Sequence, residues 1–419
     1  MRDDTLSRCR DVRNLNAFLS AMTLQIEESV LPGTEFEFAT AYDVVRALLV
    51  DLDAADCNVP GGTAQRLLCQ SRKEERNRIV GALPEEAEYH GVVPLLEASI
   101  GALADKAIIP DDVRRIFVAL ASRQRHAAAA REKCIDELLA AFAIATIPNI
   151  LLKGAALAHR IYASPALRPM VDIDVLVRPA DIERAVRAAS SLGYSFASRH
   201  GSRFAGRMHH LPIATKMKSG FRICLELHLD TMSRDVRDSL TYGTMTAPPI
   251  PFRRGGGPQG LALGHVDMLR HLTRHSFVPS RRIRLIHLYD LWRYKAVFRD
   301  EVDWHGLAAS FPEAMIALQL VAYVFPGPIS ARNTLKRVAV PPGVGMGMVA
   351  LSEIAASTNG VFAKLSELCN PPAWWVHGFY GVAPGQSLLF CRTVRHPLTV
   401  TRWLAMRAAS AIAMSRPNR

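Results

Sequence analysis

Two carboxylates one residue apart, Asp172 and Asp174, interrupt the apolar run Val171 to Val177. Strand side chains alternate between faces, so Val171, Ile173, Val175 and Val177 share one face and both aspartates the other. Ionised carboxylates side by side on an otherwise apolar strand repel each other and are costly to desolvate. A divalent cation between them removes that cost. Hard oxygen ligands suit Mg²⁺, whose usual set is one or two carboxylates with substrate phosphates. The competing reading is a pair of surface aspartates on an edge strand.

The flanking sequence favours the first reading. Upstream, the short apolar run Ile150 to Leu152 ends at Lys153-Gly154, and an alanine-rich helical pattern follows from Ala155 to Tyr162. A glycine where a strand turns into a helix allows close backbone approach, and amides at a helix N-terminus receive phosphates. Lys153 and Arg168 flank the site and offer charge-assisted bonds to a triphosphate, the alternative for each being a solvated surface. Downstream, Glu226, His228 and Asp230 alternate with Leu225, Leu227 and Leu229, which turns the three polar groups one way.

Taken together, Leu152-Lys-Gly-Ala-Ala-Leu157, Tyr162, Arg168-Pro-Met-Val-Asp-Ile-Asp-Val-Leu-Val177, Gly193-Tyr194 and Glu226-Leu-His228 resemble an uncharacterised bacterial nucleotidyltransferase family of the DNA polymerase beta-like superfamily. Some of its members are encoded beside peptide natural-product genes, including those of lasso peptides. His271, His275, Arg284 and Tyr289-Asp290-Leu291 extend the resemblance, which covers roughly residues 125 to 310. It implies an α+β fold: a small mixed sheet with flanking helices, and helical regions on either side. It also implies transfer of a nucleoside monophosphate from a triphosphate to an acceptor, with two Mg²⁺ ions held by Asp172, Asp174 and Glu226. Glu226 is the third carboxylate by this alignment, and Asp230 is the reserve on the same face. His228 either orients that carboxylate or is a satisfied strand histidine. Lys153, Gly154, Ala155 and Arg168 are the expected nucleotide contacts. Ala155 departs from the wider superfamily, which has serine or glycine at this turn, so one phosphate contact must come from elsewhere. The alternative is a non-catalytic nucleotide- or peptide-binding partner in a biosynthetic pathway.

The composition permits this chemistry without selecting it. The chain has 419 residues, a formal net charge of +12, 49% hydrophobic and 21% charged residues. Such a length suggests more than one packed unit. A basic balance favours anionic partners. The arginine clusters at Arg253-Arg254 and Arg281-Arg282-Ile-Arg284 lack interleaved aromatics, which disfavours dedicated nucleic-acid binding. Seven cysteines are scattered without ligand spacing, as expected of reduced cytoplasmic thiols with no zinc site or disulfide framework. The N-terminus shows no signal-peptide pattern, and no window reaches the apolar length of a spanning helix.

Along the chain, three regions are expected: a helical leader over 1–110, a nucleotidyltransferase core over 111–245, and a helical C-terminal domain over 246–419. The core opens with a long amphipathic helix, Asp111 to Ile144. Arg203 to Lys218 reads as basic and irregular. Pro248 to Gly257 reads as a linker, since the glycines lack the context of a phosphate-binding loop. Helices are expected over Gly264 to His275, Arg284 to Phe298, Pro312 to Val324 and Met348 to Leu368. His271 and His275 have the spacing of a helical zinc pair, but without a third ligand they read as core or surface histidines. Arg402 and Arg407 interrupt the apolar run Trp403 to Met414 to give a basic amphipathic helix, read as packing on the helical domain or lying on an anionic membrane.

Overall fold

In the computed structural model, which describes residues 40–56, 62–103, 105–196, 209–231, 240–276, 284–311 and scattered residues beyond 313, the two acidic runs lie side by side. They are the middle of a five-stranded sheet. Its strands are β1 (Asn149–Leu151), β2 (Asp172–Val177), β3 (Ser195–Phe196), β4 (Ala214–Lys218) and β5 (Phe221–His228), in the spatial order β1-β2-β5-β4-β3. Only β2 and β5 run parallel; the other pairings are antiparallel, so the sheet is mixed. Ile173, Val175, Val177, Ile223, Leu225 and Leu227 are all buried, as the alternation requires, whereas Val171 stands before the strand and is exposed.

Strand β4 corrects the expectation of irregular structure over Arg203 to Lys218. Residues 197–208 lie outside the described residues, but Ala214–Lys218 pairs with β5, with Lys218 opposite Phe221. Ser219 and Gly220 both adopt positive φ, 50° and 78°, the backbone of a two-residue hairpin turn. Lysines within a strand hid its periodicity. Lys216 and Lys218 both reach Glu137, at 2.7 and 2.5 Å.

The helical elements are α1 (Ala41–Asp56), α2 (Thr63–Gln70), α3 (Lys73–His90), α4 (Val93–Gly101), α5 (Asp111–Ile144), α6 (Lys153–Arg160), α7 (Ile182–Ser191), α8 (His265–Ser276), α9 (Leu285–Val297) and α10 (Trp304–Ser310). With 34 residues, α5 is about 51 Å long. It packs against α4, α7, β4 and β5 and ties the N-terminal helices to the sheet. All described residues belong to one compact unit, Ala39–Arg419.

The expected linker is a hairpin instead, with β6 (Ile250–Phe252) paired to β7 (Gly260–Ala262), and β7 lies against β1 and α6. Packing explains the departure. Arg254 is buried and bonds Glu132 and Asp136 of α5, at 2.6 and 2.5 Å. A Cβ on Gly260 would meet the Phe252 ring at 2.6 Å. Part of the basic excess is therefore internal rather than offered to partners.

Met348–Val349 is a short strand, β9, paired with β8 (Val338–Ala339), where a helix was expected; residues 350–368 lie outside the described residues. In that pair Val338 is in register with Val349 and Ala339 with Met348. Within the basic run at 403–414, Leu404 and Ala405 are helical; residues 403 and 406–414 lie outside the described residues. Among the described residues no helix is long and apolar enough to cross a membrane.

Candidate active site

Parallel pairing of β2 and β5 sets Asp172 opposite Cys224, Asp174 opposite Glu226 and Leu176 opposite His228. Directly opposed residues share a face, so Asp172, Asp174, Glu226 and His228 form one polar patch above an apolar sheet. The His228 Nε2–H donates to Asp174 Oδ1 at 2.7 Å and lies 3.3 Å from Glu226 Oε2. The Lys153 ammonium is 3.2 Å from Asp174 Oδ1. One donor atom each from Asp174, Glu226 and His228 falls within a span of 4.8 Å.

Burial alone would push the Asp174 carboxyl up, but the charge of Lys153 and the bond and charge of His228 outweigh it and hold Asp174 well below the usual range. Burial would likewise lower His228, yet its bonds to Asp174 and Glu226 raise it. Asp172 goes the other way. Burial, with the charges of Asp174 and Glu226, pushes it up to about 6 despite Lys153 and His228.

A testable consequence concerns stability. A folded carboxyl that titrates near 6 binds its proton more tightly than the unfolded chain does, so stability falls as pH rises from about 4 to about 6 and stays reduced above. Asp172→Asn removes that loss. In metal-free solution at pH 7.5 the variant is expected to be more stable than wild type by about 1–3 kcal/mol, with the difference vanishing near pH 4. Denaturant unfolding across that range measures it; equal stability at pH 7.5 would show that Asp172 carries no electrostatic penalty.

The turn between β1 and α6 is strained at an unexpected residue. Lys153, not Gly154, has the positive φ, 43°, which a non-glycine residue adopts only when its surroundings enforce it. The Leu152 N–H donates to the Asp174 carbonyl at 3.0 Å and fixes the turn on β2. That places the Lys153 ammonium on the carboxylates. Gly154 serves a close approach: a Cβ there would lie 3.2 Å from Met170 Cβ and 3.5 Å from Arg168 Nη1. Ala155 is buried within α6.

Arg168, expected as a nucleotide contact, forms a buried ion pair with Asp290. Its Nε lies 2.9 and 3.1 Å from the two Asp290 carboxylate oxygens, its Nη2 donates to Oδ2 at 2.6 Å, and its Nη1 donates to the Pro169 carbonyl. The Tyr162 hydroxyl donates to Asp290 Oδ1 at 2.6 Å. Both members of the ion pair are buried, so the guanidinium clamps the approach to β2 onto α9. Asp230 lies beyond the end of β5, where its Oδ1 accepts from the Leu240 N–H at 3.0 Å.

Two histidines outside the expected site residues, His209 and His271, act on the patch. The His209 ring centre is 5.7 Å from that of His228, and its carbonyl accepts from the N–H groups of Leu229 and Asp230. Burial and the charges of His210, His228 and Lys153 push its imidazole down to about 3. From α8, His271 is fully buried, and the groups whose charges act on it are Lys153, His228, Asp174 and His209. His271 and His275, with ring centres 6.3 Å apart, are not among the described residues that together fit an ion; those are Asp174, Glu226 and His228.

No curated protein matches this chain. Among solved structures it is similar to the solution structure of the antibiotic-resistance factor ANT(2'')-Ia, at 14% identity over 46% of this chain and 97% of that one, with a TM-score of 0.31, too low to carry an argument. A family model described as uncharacterised nucleotidyltransferase matches residues 80–323, which span the whole sheet, the turn at Lys153 and the helices α8 and α9. The chain belongs to that nucleotidyltransferase family.

Proposed function

We propose that this nucleotidyltransferase moves a nucleoside monophosphate from a nucleoside triphosphate to a hydroxyl of a small molecule, peptide or protein. The observation that carries the reading is the pairing of Asp174 with Glu226 across β2 and β5, with Asp172 two residues away on the same face. In the step, the acceptor oxygen attacks the α-phosphorus in line, the bond to the β-phosphate oxygen breaks, and pyrophosphate leaves. Glu226 takes the hydroxyl proton. Lys153, held by its strained turn, steadies the negative charge of the phosphates.

The donor set fits divalent cations. Asp172, Asp174 and Glu226 offer hard oxygens in one row, and Asp172, pushed up first by burial and then by the charges of Asp174 and Glu226, is a carboxyl whose ionised form a cation would favour. Mg²⁺ bound there would neutralise charge on the phosphates and on the attacking oxygen. Arg168 acts at one remove, by fixing the loop that carries Met170 against Gly154. We assign the reaction to the cytoplasm, with residues 111–245 as its core.

Glu226 and Asp230 give contrasting expectations. They lie four residues apart, about 13 Å along an extended strand, so only one reaches the patch. Glu226→Gln is expected to lower kcat about a hundredfold, roughly 2.7 kcal/mol. Asp230→Asn, which alters the bond to Leu240 beyond the end of β5, leaves kcat within about threefold. Side-by-side turnover assays decide, and the reverse ranking moves the third carboxylate to Asp230.

The function itself is tested by incubating the chain with Mg²⁺, each triphosphate and lysate of its native host, then seeking a nucleotidyl adduct by mass spectrometry. An adduct is expected. Triphosphate binding without any adduct would make the protein a binding partner instead.

A further inference from the structure

The helical stretch 389–402 is apolar on two faces, and only one of them is packed against the protein. On the inner face Cys391, His396 and Val400 are buried, the five-residue step from Cys391 to His396 spanning a π-helical turn, Cys391–Arg395. The Tyr380 hydroxyl lies 2.8 Å from His396 Nδ1. The Arg395 guanidinium donates to the Tyr380 carbonyl at 3.1 Å and stands 4.8 Å from the centre of that ring. With its inner face secured in this way, the helix should turn charge outward. It does not. Leu389 is 69% exposed, Phe390 66% and Leu398 53%, and Val394 is exposed between them. Phe390, Val394 and Leu398 follow at four-residue spacing and so form one stripe. A surface helix of a globular protein carries a single apolar stripe, facing the core. A second one facing outward marks an interaction site.

Charge narrows the kind of surface that covers it. Residues 370–419 carry six arginines, at 392, 395, 402, 407, 416 and 419, and no aspartate, glutamate or lysine. Arg402 is exposed, as is Arg392, whose one bond to the Pro371 carbonyl is 3.4 Å long. Apolar residues bordered by cations alone complement a surface that is apolar within and anionic at its boundary, as a bilayer of acidic lipids is. We propose that this helix docks the protein on an anionic lipid surface. Leu389, Phe390, Val394 and Leu398 enter the acyl boundary, and Arg392 and Arg402 meet the lipid phosphates. The helix lies in the plane of the interface and does not cross it, in keeping with the lack of a membrane-spanning helix among the described residues.

The test floats the full chain with two kinds of vesicle, phosphatidylcholine alone and an equal mixture of phosphatidylcholine and phosphatidylglycerol. Binding is expected with the mixed vesicles and not with the neutral ones, and added salt should weaken it. Phe390→Ser combined with Leu398→Ser should lower binding at least about tenfold, through the loss of two apolar side chains from the acyl boundary. Arg402→Gln should lower it about fivefold, the effect of one charge near an anionic surface. Both variants are expected to keep the wild-type unfolding midpoint, since they leave the buried face untouched. A wild-type chain that floats with neither vesicle overturns the proposal, as does mixed-vesicle binding that the double variant leaves unchanged. A wild-type dimer that the double variant dissociates, with vesicles left unbound, would make a second copy the cover of the stripe and also overturn it.

Discussion

Asp174→Asn is expected to lower turnover by at least about a thousandfold, roughly 4 kcal/mol, the largest catalytic effect of any single change. Asp174 is the hub of the patch: it accepts from His228, faces the Lys153 ammonium, and stands opposite Glu226. Asparagine keeps the shape and removes the charge. Lys153 and His228 then lose the anion that fixes them, and the site loses a carboxylate that Lys153 and His228 hold well below its usual range. The check is steady-state turnover with saturating triphosphate and Mg²⁺, beside a circular-dichroism spectrum to confirm the fold. Activity within tenfold of wild type would remove Asp174 from the centre of the chemistry.

The largest stability effect is expected at a distance from the chemistry. Asp290→Ala leaves the buried Arg168 guanidinium without its carboxylate and the Tyr162 hydroxyl without its acceptor. Breaking a buried pair from one side costs about 3–5 kcal/mol, because the remaining charge is stranded in low dielectric. Removing both charges with the pair Arg168→Met and Asp290→Leu should recover most of that loss, since well-packed apolar groups substitute for a buried ion pair at little cost. Denaturant midpoints for the single and double variants measure it. A single-variant loss below about 1 kcal/mol would mean that the clamp between the β2 approach and α9 is solvated.

Which of these features could be read from the chain, and which could not, follows from the range of the interactions. Period-two alternation marked β2 and β5, because Ile173, Val175, Leu225 and Leu227 face an apolar layer while the acidic residues do not. The bounds of α5 follow from local rules, with Pro110 before its first turn and Asp111 and Asp112 within it. Strand β4 was hidden because its lysines find a partner, Glu137, on a distant helix. The hairpin β6–β7 was hidden because glycines that read as a linker instead admit Phe252 and Asp136 at close range. At the site the limit is the same. Strand alternation alone puts Asp172 and Asp174 on one face and groups Glu226 with His228 and Asp230, while the choice of Glu226 came from the family resemblance. The partners of Arg168 and the surroundings of His271 arise from contacts over a hundred residues or between separate elements, which no local pattern encodes.

The central claim is that the α-phosphorus is the atom attacked, and a label placed in two positions tests it most directly. The chain, Mg²⁺ and native-host lysate are incubated with the preferred triphosphate carrying the label on either its α- or its γ-phosphate. With wild type, the α-label is expected in the acceptor and the γ-label in released pyrophosphate, and Asp174→Asn should abolish both signals. Retention of the γ-label in the acceptor, or α-label transfer undiminished in Asp174→Asn, would contradict nucleotidyl transfer at this patch.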